Sequence, residues 1–273
     1  KSRRFSILTF ILFLLLLTVT AAAALFASGC SGTEHADGIV PPAREDAVFN
    51  PISSNEAAYD SSSFSIQDIS RGNLILINSD YAYTFQDNGS LTNVFNNQTH
   101  SYSVRSKDIE LNAEVIDALN SLMDDFQARS GLDTINLVSG YRSYELQQQL
   151  YDESLEQNGL EHTRLYVASP GHSEHHSGLA ADLGLIFFSD GSSAEFDGTG
   201  EYAWIIDNAP YYGLIQRYTE AKTDLTNVAS EPWHLRYVGL PHSLIMKEND
   251  FCLEEYIEYL RNFTYEGERL NYE

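Results

Sequence analysis

Cysteine and basic residues are scarce in this sequence. It has two cysteines in 273 residues, Cys30 and Cys252; they lie far apart and in unlike surroundings, which argues against a disulfide framework and against a zinc site made of several cysteines. The 16 lysines and arginines face 39 aspartates and glutamates, for a formal net charge of −23. Such a chain does not bind nucleic acid or an anionic membrane surface by charge attraction. Any metal site must therefore use histidine and carboxylate side chains.

Internal repeats and a glycine-rich phosphate-binding loop are also absent from the sequence. Core-forming residues, in contrast, are plentiful: hydrophobic residues make up 43% of the chain and aromatic residues 12%. That supply is ample for the core of one domain and excludes a wholly disordered chain. We expect this domain to be a monomer.

The first 29 residues have the order of an export signal. Three basic residues precede the uncharged run 5–26, which as a helix is long enough to span about 30 Å of hydrocarbon, and small residues follow it. The segment 27–30 (ASGC) resembles a bacterial lipoprotein box, which implies cleavage before Cys30 and lipidation of that cysteine. An uncleaved signal anchor is the alternative. Either way, we expect a bacterial protein that works outside the cytoplasm, tethered to the cell membrane.

Residues 30–72 are rich in serine, proline, glycine and acidic residues and lack apolar periodicity. This composition predicts a flexible polar stalk. The remaining residues, 73–273, are predicted to form the working domain. Short β-prone runs at 73–78 and 81–85 predict strands at its entry, and the lone thiol of Cys252 is expected to be buried among apolar residues.

Apolar periodicity in this domain predicts helices and strands without regular βαβ alternation. Apolar residues spaced by three and four from 111 to 126 predict a helix that ends at Gly131. A second helix is predicted after the N-cap Ser143, with Leu146, Leu150 and Leu155 facing inward and an end at Gly159. Further predicted elements are strands at 134–139, 179–188 and 235–238, a short helix at 202–208 and a last helix from residue 253. This pattern indicates an α+β fold.

The densest polar cluster lies at 169–182, where the sequence reads SPGHSEHHSGLAAD. Asp182 belongs to an apolar strand, where an unpaired carboxylate would be costly; a metal ion or a nearby cation would remove that cost. About fifty residues later, Glu231 stands three positions before His234. Two imidazoles and one carboxylate leave a tetrahedral zinc ion with an open position for water, the arrangement that a hydrolytic zinc site needs.

The order of these residues resembles a known family signature. Ser173-x-His175-x-x-Gly178-x-Ala180-x-Asp182 followed by Glu231-x-x-His234 is similar to the pattern of the VanY-like D-alanyl-D-alanine carboxypeptidases, zinc peptidases of bacterial cell-wall metabolism. Further matching blocks lie at 139–144, 169–171, 217–218 and 231–239, so the resemblance covers about residues 70–250. It implies an α+β fold with a small antiparallel sheet, helices packed on it and a single zinc site, as in hedgehog and D-Ala-D-Ala peptidase-like domains.

The resemblance also implies a role for each matching residue. His175, Asp182 and His234 would ligate one Zn²⁺, and Glu231 would be the general base that takes a proton from the attacking water. Arg142 would face the substrate and its developing oxyanion. The composition supports the same role for Arg142. A peptide carboxylate that approaches so acidic a protein needs a fixed cation, and a guanidinium can bind a pair of oxygens.

Three further positions match substrate-contacting positions of the family: Gln147, Ser173 and Tyr218. The histidines that flank the ligand motif, His172 and His176, are expected to support the ligands or to lie at the surface. Glu174 is expected to be a locally structural or exposed residue.

The implied activity is removal of the terminal D-alanine from peptidoglycan stem peptides. Two alternatives stay open: an LD-carboxypeptidase that acts on tetrapeptide stems, and a zinc-containing module that binds the wall without turnover. The presence of both Glu231 and Arg142 weighs against the last. Departures from the family pattern at 219–222 and 226–230 touch the pocket edge and leave the exact peptide open.

Overall fold

The computed structural model of the protein describes residues 72–84 and 91–262. The predicted signal segment, the lipidation site Cys30 and all of the predicted stalk except residue 72 lie outside the described residues. Within the described ranges, no helix combines the length and the apolar character needed to cross a membrane.

The described residues contain two sheets. The strands, numbered in chain order, are Leu91–Asn93 (β1), Ser103–Val104 (β2), Glu110–Asn112 (β3), Ile135–Ser139 (β4), Ala180–Phe187 (β5), Ser192–Glu195 (β6), Leu214–Tyr218 (β7) and Glu231–Tyr237 (β8). The larger sheet has the order β2-β4-β5-β8-β7, with β6 paired to β5, and the smaller one pairs β1 with β3. All pairs are antiparallel except β2 with β4. The expected α+β fold with a small antiparallel sheet is confirmed.

Six helices accompany these sheets in the described part of the chain: Ala113–Ser130 (α1), Tyr144–Tyr166 (α2), Ala203–Asn208 (α3), Thr223–Thr226 (α4), His242–Asn249 (α5) and Leu253–Asn262 (α6). The periodic apolar run forms α1 as predicted. Gly131 caps it in the left-handed conformation, with φ of 72° and its N–H bonded to the carbonyl of Gln127. A glycine is favoured there because a Cβ atom makes this conformation costly.

Helix α2 begins as predicted, but it buries a different face. The Ser143 hydroxyl accepts a hydrogen bond from the backbone N–H of Leu146 at 3.2 Å, which is the expected N-cap. The prediction that Leu146 and Leu155 face inward is wrong, since their exposures are 46% and 39%. The buried side chains of α2 are polar instead: Gln147, Ser154 and Thr163. Gly159, at φ of 78°, interrupts the helical run, and the chain then resumes it.

The entry to the domain is not built of strands. Residues Gly72–Leu74 form a 3-10 turn, and no strand occurs in 75–84. The apolar side chains at 74–77 are buried, but the backbone carbonyls of Asn73 and Ile75 accept hydrogen bonds from the guanidinium of Arg236 at 3.0 and 2.8 Å. A side chain therefore takes the bonds that a neighbouring strand would have made.

Strand alternation separates the core from the polar cluster. Ala181, Leu183 and Leu235 belong to the main apolar core together with the buried face of α1. Asp182 and His234 are directly paired across β5 and β8, so both lie on the opposite face of the sheet. A register shift in β4 places Ser139 opposite Asp182 as well. The sheet thus presents three polar positions side by side.

A second apolar core holds the C-terminal helix. Leu253, Tyr256 and Ile257 of α6 are buried at 1% exposure or less. They pack with further buried residues from the domain entry, from the end of the sheet and from α5, among them Leu74, Leu76, Val238 and Met246. The packing holds α6 next to the edge strand β7, where Glu254 of α6 contacts Arg217.

Candidate metal centre

The predicted ligands come from three separate segments. His175 lies in the 3-10 turn Glu174–Ser177, Asp182 is the third residue of β5, and His234 is the fourth residue of β8. Gly178 ends the turn at φ of 71°, where a Cβ atom would lie 2.7 Å from Leu91 Cδ2. The backbone conformation favours the glycine of the motif, because a Cβ atom makes a positive φ costly; the contact itself could be relieved by movement of the exposed Leu91 side chain.

These three side chains converge on one point. The Nε2 atom of His175 lies 3.1 Å from Asp182 Oδ2, and Nδ1 of His234 lies 3.0 Å from Asp182 Oδ1. One donor atom from each of the three falls within 4.8 Å of the others, and the group qualifies as a candidate metal site. The two imidazole rings meet edge to face, with centroids 5.0 Å apart.

Hydrogen bonds on the outer sides of the imidazoles select the nitrogens that face the cluster. His175 Nδ1 donates to the carbonyl oxygen of Gly140 at 2.7 Å, since a carbonyl can only accept. His234 Nε2 lies 3.3 Å from Oε2 of Glu174. The nitrogens left for a metal are His175 Nε2 and His234 Nδ1, and each ring is oriented by its other nitrogen, as is usual for metal-bound histidine.

The donor set fits a zinc ion. Asp182 Oδ1 is buried and accepts no hydrogen bond among the described residues, although His234 Nδ1 is near. Burial alone would raise the pKa of Asp182, but the two histidines outweigh it and hold the pKa well below the ordinary value. A buried, ionised carboxylate needs a positive partner, which a metal ion held between Asp182 and the two imidazoles would supply. Two imidazoles and a carboxylate are the ligands that zinc takes when one position stays open.

Glu231 lies at the start of β8, beside the three ligands. Its Oε2 is 3.8 Å from His234 Nδ1. Burial raises the pKa of Glu231 to about 7, with His234 and Arg142 opposing this shift and Asp182 adding to it. A carboxylate with a pKa near neutrality can both accept and return a proton.

Arg142 places a guanidinium group beside the ligand cluster. Its Nη2 lies 3.7 Å from Asp182 Oδ2 and donates to the Ser139 hydroxyl at 3.1 Å, while Nη1 donates to Gln147 Oε1 at 2.8 Å. Its backbone N–H donates to the His175 carbonyl at 3.1 Å. The guanidinium is therefore held at a fixed place next to the ligand cluster.

The three predicted substrate-contacting residues are all buried around this cluster. Gln147 is 1% exposed and donates from Nε2 to the carbonyl of Ala168 at 2.6 Å. Because its Oε1 accepts from Arg142, these hydrogen bonds hold Gln147 in place and orient Arg142. The Tyr218 ring centroid lies 5.0 Å from that of His234. Ser173 is buried at the start of the ligand turn. The structure brings all three to the site, and their role toward a substrate stays a prediction.

Glu174 is the residue whose position the sequence did not reveal. We expected a locally structural or exposed residue, whereas its side chain is fully buried and contacts three partners. Oε1 accepts from Arg217 Nε at 2.8 Å and from Arg236 Nη1 at 2.7 Å, and Oε2 faces His234. No local pattern marks this role, because Arg217 and Arg236 are distant from Glu174 in the sequence; both are buried in the structure, and buried arginines need a carboxylate.

The flanking histidines also support the site. His176 Nδ1 donates to the carbonyl of Arg142 at 2.7 Å, and its Nε2 accepts the backbone N–H of Gly171 at 3.1 Å. His172 Nδ1 donates to the carbonyl of Asn78 at 2.7 Å. Both rings therefore fasten loops around the cluster, in agreement with a supporting role.

The sequence is similar to that of several known peptidases. The family model described as "VanY: D-alanyl-D-alanine carboxypeptidase" matches residues 108–240. A D-alanyl-D-alanine carboxypeptidase from Enterococcus faecium is 37% identical over 200 residues, which cover 71% of this chain and 60% of that protein. The bifunctional D-Ala-D-Ala dipeptidase and carboxypeptidase VanXYC from Enterococcus gallinarum is 43% identical over 128 residues, 46% of this chain and 67% of that protein. The chain belongs to the VanY family.

Solved structures similar to this VanY-family chain agree with the fold. The D,D-dipeptidase VanXYg, in complex with a D-Ala-D-Ala phosphinate analogue, is 39% identical, with a TM-score of 0.61 over 72% of this chain and 74% of its own. The LD-carboxypeptidase LdcB is 35% identical, with a TM-score of 0.58 over 68% and 85%. A mutant of the D,D-pentapeptidase VanY from a VanB-type resistance cassette, in complex with Zn(II), is 30% identical, with a TM-score of 0.55 over 68% and 98%.

Proposed function

We propose that this protein is a zinc-dependent D-alanyl-D-alanine carboxypeptidase that trims peptidoglycan stem peptides. One observation carries the proposal: donor atoms of His175, Asp182 and His234 lie within 4.8 Å of one another, and an acid-base carboxylate and a guanidinium flank them. The names of its relatives support the same reaction and substrate class. The match spans 60% of the E. faecium relative, so the activity is proposed here from the site itself.

Each residue of the site has a distinct task in this reaction. His175, Asp182 and His234 would hold the ion, which when bound polarises the scissile carbonyl and lowers the pKa of water. The Glu231 carboxylate takes a proton from the attacking water and then delivers it to the amine of the departing D-alanine. Arg142 offers N–H donors to the oxygen on which negative charge develops. Its fixed hydrogen bonds mean that little reorganisation is needed when that charge appears.

The burial of the site favours hydrolysis over mere binding of a wall component. A module that only binds has no need for a carboxylate whose pKa burial raises to about 7 beside the ligands. Glu231→Gln keeps the size of the side chain and removes the base. We expect the variant to retain one equivalent of zinc while release of D-alanine from pentapeptide stems is lost.

The test is mass spectrometry of defined muropeptides incubated with the zinc-loaded protein, with and without a chelator. Loss of one D-alanine from pentapeptide stems, abolished by the chelator and by Glu231→Gln, supports the proposal. Failure of the wild-type protein to bind zinc or to cleave any stem peptide contradicts it. Unchanged turnover by Glu231→Gln contradicts the assignment of the base.

A second candidate reaction has a specific observation in its favour. The similarity to the LD-carboxypeptidase LdcB, at 35% identity, is close to the similarity to the D,D-peptidases. The same zinc site would then act on the L-to-D bond of tetrapeptide stems. Incubation with pentapeptide and tetrapeptide stems in parallel distinguishes the two reactions, because each predicts that a different stem is shortened.

We also propose that the enzyme works outside the cytoplasm, held to the membrane through residues 1–30. The apolar run 5–26 and the segment ending at Cys30 support this. Expression of the full chain and of Cys30→Ser in a bacterium with lipoprotein processing tests it. The proposal predicts a membrane-bound, acyl-modified wild type; an unmodified protein in both cases would leave the signal anchor as the remaining tether.

A further inference from the structure

Arg217 joins two carboxylates inside the protein. Its Nη1 and Nη2 donate to the two oxygens of Glu254 at 2.8 and 2.6 Å, and its Nε donates to Glu174 Oε1 at 2.8 Å. The side chains of Arg217 and Glu174 are both fully buried, and that of Glu254 is 16% exposed. Because the guanidinium is planar and rigid, the paired bonds to Glu254 fix the direction in which Nε points.

The chain of contacts continues to a metal ligand. Glu174 receives Arg217 on Oε1, and its Oε2 lies 3.3 Å from Nε2 of His234. Arg236 also binds Oε1, but it has its own anchors, since it donates to three backbone carbonyls, those of residues 73, 75 and 237. Arg217, in contrast, is oriented by the carboxylate of Glu254.

The charge balance of this group also supports a link between Glu254 and the metal site. Its two arginines and two glutamates have no net charge together, and they lie next to the proposed site of a divalent cation. Removal of the charge of Glu254 would leave this buried group with a net positive charge and would draw the Glu174 carboxylate toward Arg217. Both effects disfavour a metal ion at His234, because charges interact strongly where water is excluded.

We propose that Glu254 is a positioning residue for the metal ligand His234, acting through Arg217 and Glu174. The inference rests on the proposed zinc site. Glu254 lies on α6, beyond residues 108–240 that match the family model, and Asn78 of the domain entry donates to it at 3.1 Å. Residues near both ends of the domain sequence therefore support a site whose proposed ligands all come from the middle of that sequence.

The experiment measures zinc affinity, by competition with a chromophoric chelator, together with the visible spectrum of the Co²⁺-substituted protein. Glu254→Gln in the full chain keeps the shape and removes the charge. Ile257→Val, one turn further and 1% exposed, loosens the packing of α6 without touching the network. Glu258→Gln makes the same charge change on the same helix at an exposed side chain.

We expect Glu254→Gln to weaken zinc binding by about three- to tenfold, less than the ~10–100-fold typical of a residue that contacts a ligand directly. Its Co²⁺ spectrum should shift, and both control variants should match the wild type. Combination with Glu174→Gln should cost no more than Glu174→Gln alone, since both act on the same contact. Equal affinities and spectra for Glu254→Gln and Ile257→Val would overturn the proposal.

A second variant covers the case in which Glu254→Gln does not fold. Glu254→Asp keeps the charge, but its shorter side chain cannot reach both nitrogens of Arg217, so its zinc affinity should fall below that of Ile257→Val; equal affinity overturns the inference. Wild-type protein that binds no zinc would refute the proposed function itself. If the wild type binds zinc and every Glu254 variant binds it with the same affinity, this inference is refuted while the proposed function stands.

Discussion

Glu174 and His234 meet at 3.3 Å, from Oε2 to Nε2, on the side of the imidazole opposite to Asp182. The contact leaves His234 Nδ1 directed at the other ligands. Burial would raise the pKa of Glu174, but Arg217 and Arg236 outweigh it and hold the pKa well below the ordinary value. The acceptor for the His234 ring is therefore an ionised carboxylate, and a residue outside the ligand set governs the geometry of the site.

The first prediction concerns this acceptor. Glu174→Gln should weaken zinc binding by about tenfold or more, as is usual when the outer partner of a metal-bound histidine is lost. Chelator competition measures the affinity, and Glu156→Gln, an exposed acid on α2, is the matched control. A folded Glu174→Gln protein with wild-type zinc affinity would contradict the role of this carboxylate.

The second prediction concerns the guanidinium of Arg142. Arg142→Lys keeps a positive charge but loses the fork that binds Ser139 and Gln147. We expect kcat/KM for D-alanine release to fall by about a hundredfold, as when one oxyanion donor is removed, with zinc content unchanged. Arg105→Lys, at an exposed position of the same domain, controls for the loss of an arginine. A wild-type kcat/KM in Arg142→Lys would show that the paired N–H donors of the guanidinium do not contribute to catalysis.

The third prediction links Glu254 to stability. Burial would raise the pKa of Glu254, yet the bonds to Arg217 and Asn78 lower it below the ordinary value of 4.5. A lowered pKa in the folded state adds stability that is fully present above the unfolded pKa and is lost as the pH falls through the folded one. Urea unfolding of the metal-free protein should therefore show Glu254→Gln to be less stable at pH 7, with the difference from the wild type shrinking below about pH 4.5. A difference that does not change with pH would argue against an ionised Glu254.

The fourth prediction concerns the thiol of Cys252. Burial is the main cause that raises its pKa to about 11, and the side chain is 6% exposed. At pH 8 the thiolate is then rare, and iodoacetamide should modify Cys252 on the order of a hundredfold more slowly in the folded protein than in urea. Mass spectrometry of Cys30→Ser, in which Cys252 is the one remaining cysteine, follows the reaction. Equal rates in both conditions would contradict the burial.

The clustering of His175, Asp182 and His234 and the position of α1 were predictable because each depends on a local pattern. His175 and Asp182 lie seven positions apart in one motif, and Glu231 and His234 share one strand, so spacing alone groups them. The apolar repeat from 111 to 126 likewise has one simple outcome, a helix with a buried face. The family resemblance then joined the two motifs, and the register of β5 against β8 agrees with it.

Features that depend on distant partners could not be predicted in this way. Residues 75–77 have strand-like composition, but Arg236, some 160 positions away, takes the backbone carbonyl of Ile75. Leu146 is apolar and at a helical spacing, but α2 packs its polar side on Arg142 and the adjoining loops, which leaves this leucine exposed. Glu174 has no local pattern, since the two arginines that bind it come from β7 and β8, more than 40 positions away in the sequence. In each case the contact that determines the structure joins residues that are distant in the sequence and share no sequence pattern.

The pairing of Asp182 with His234 across β5 and β8 also dictates when an ion can be captured. A nascent chain that ends before β8 offers His175 and Asp182 alone, a weak pair, and a slip of β8 by one residue would turn His234 to the opposite face. The complete three-residue site would therefore form only after β8 has paired with β5 in the correct register. An ion bound there would stabilise this pairing, because separating β8 from β5 would require its release.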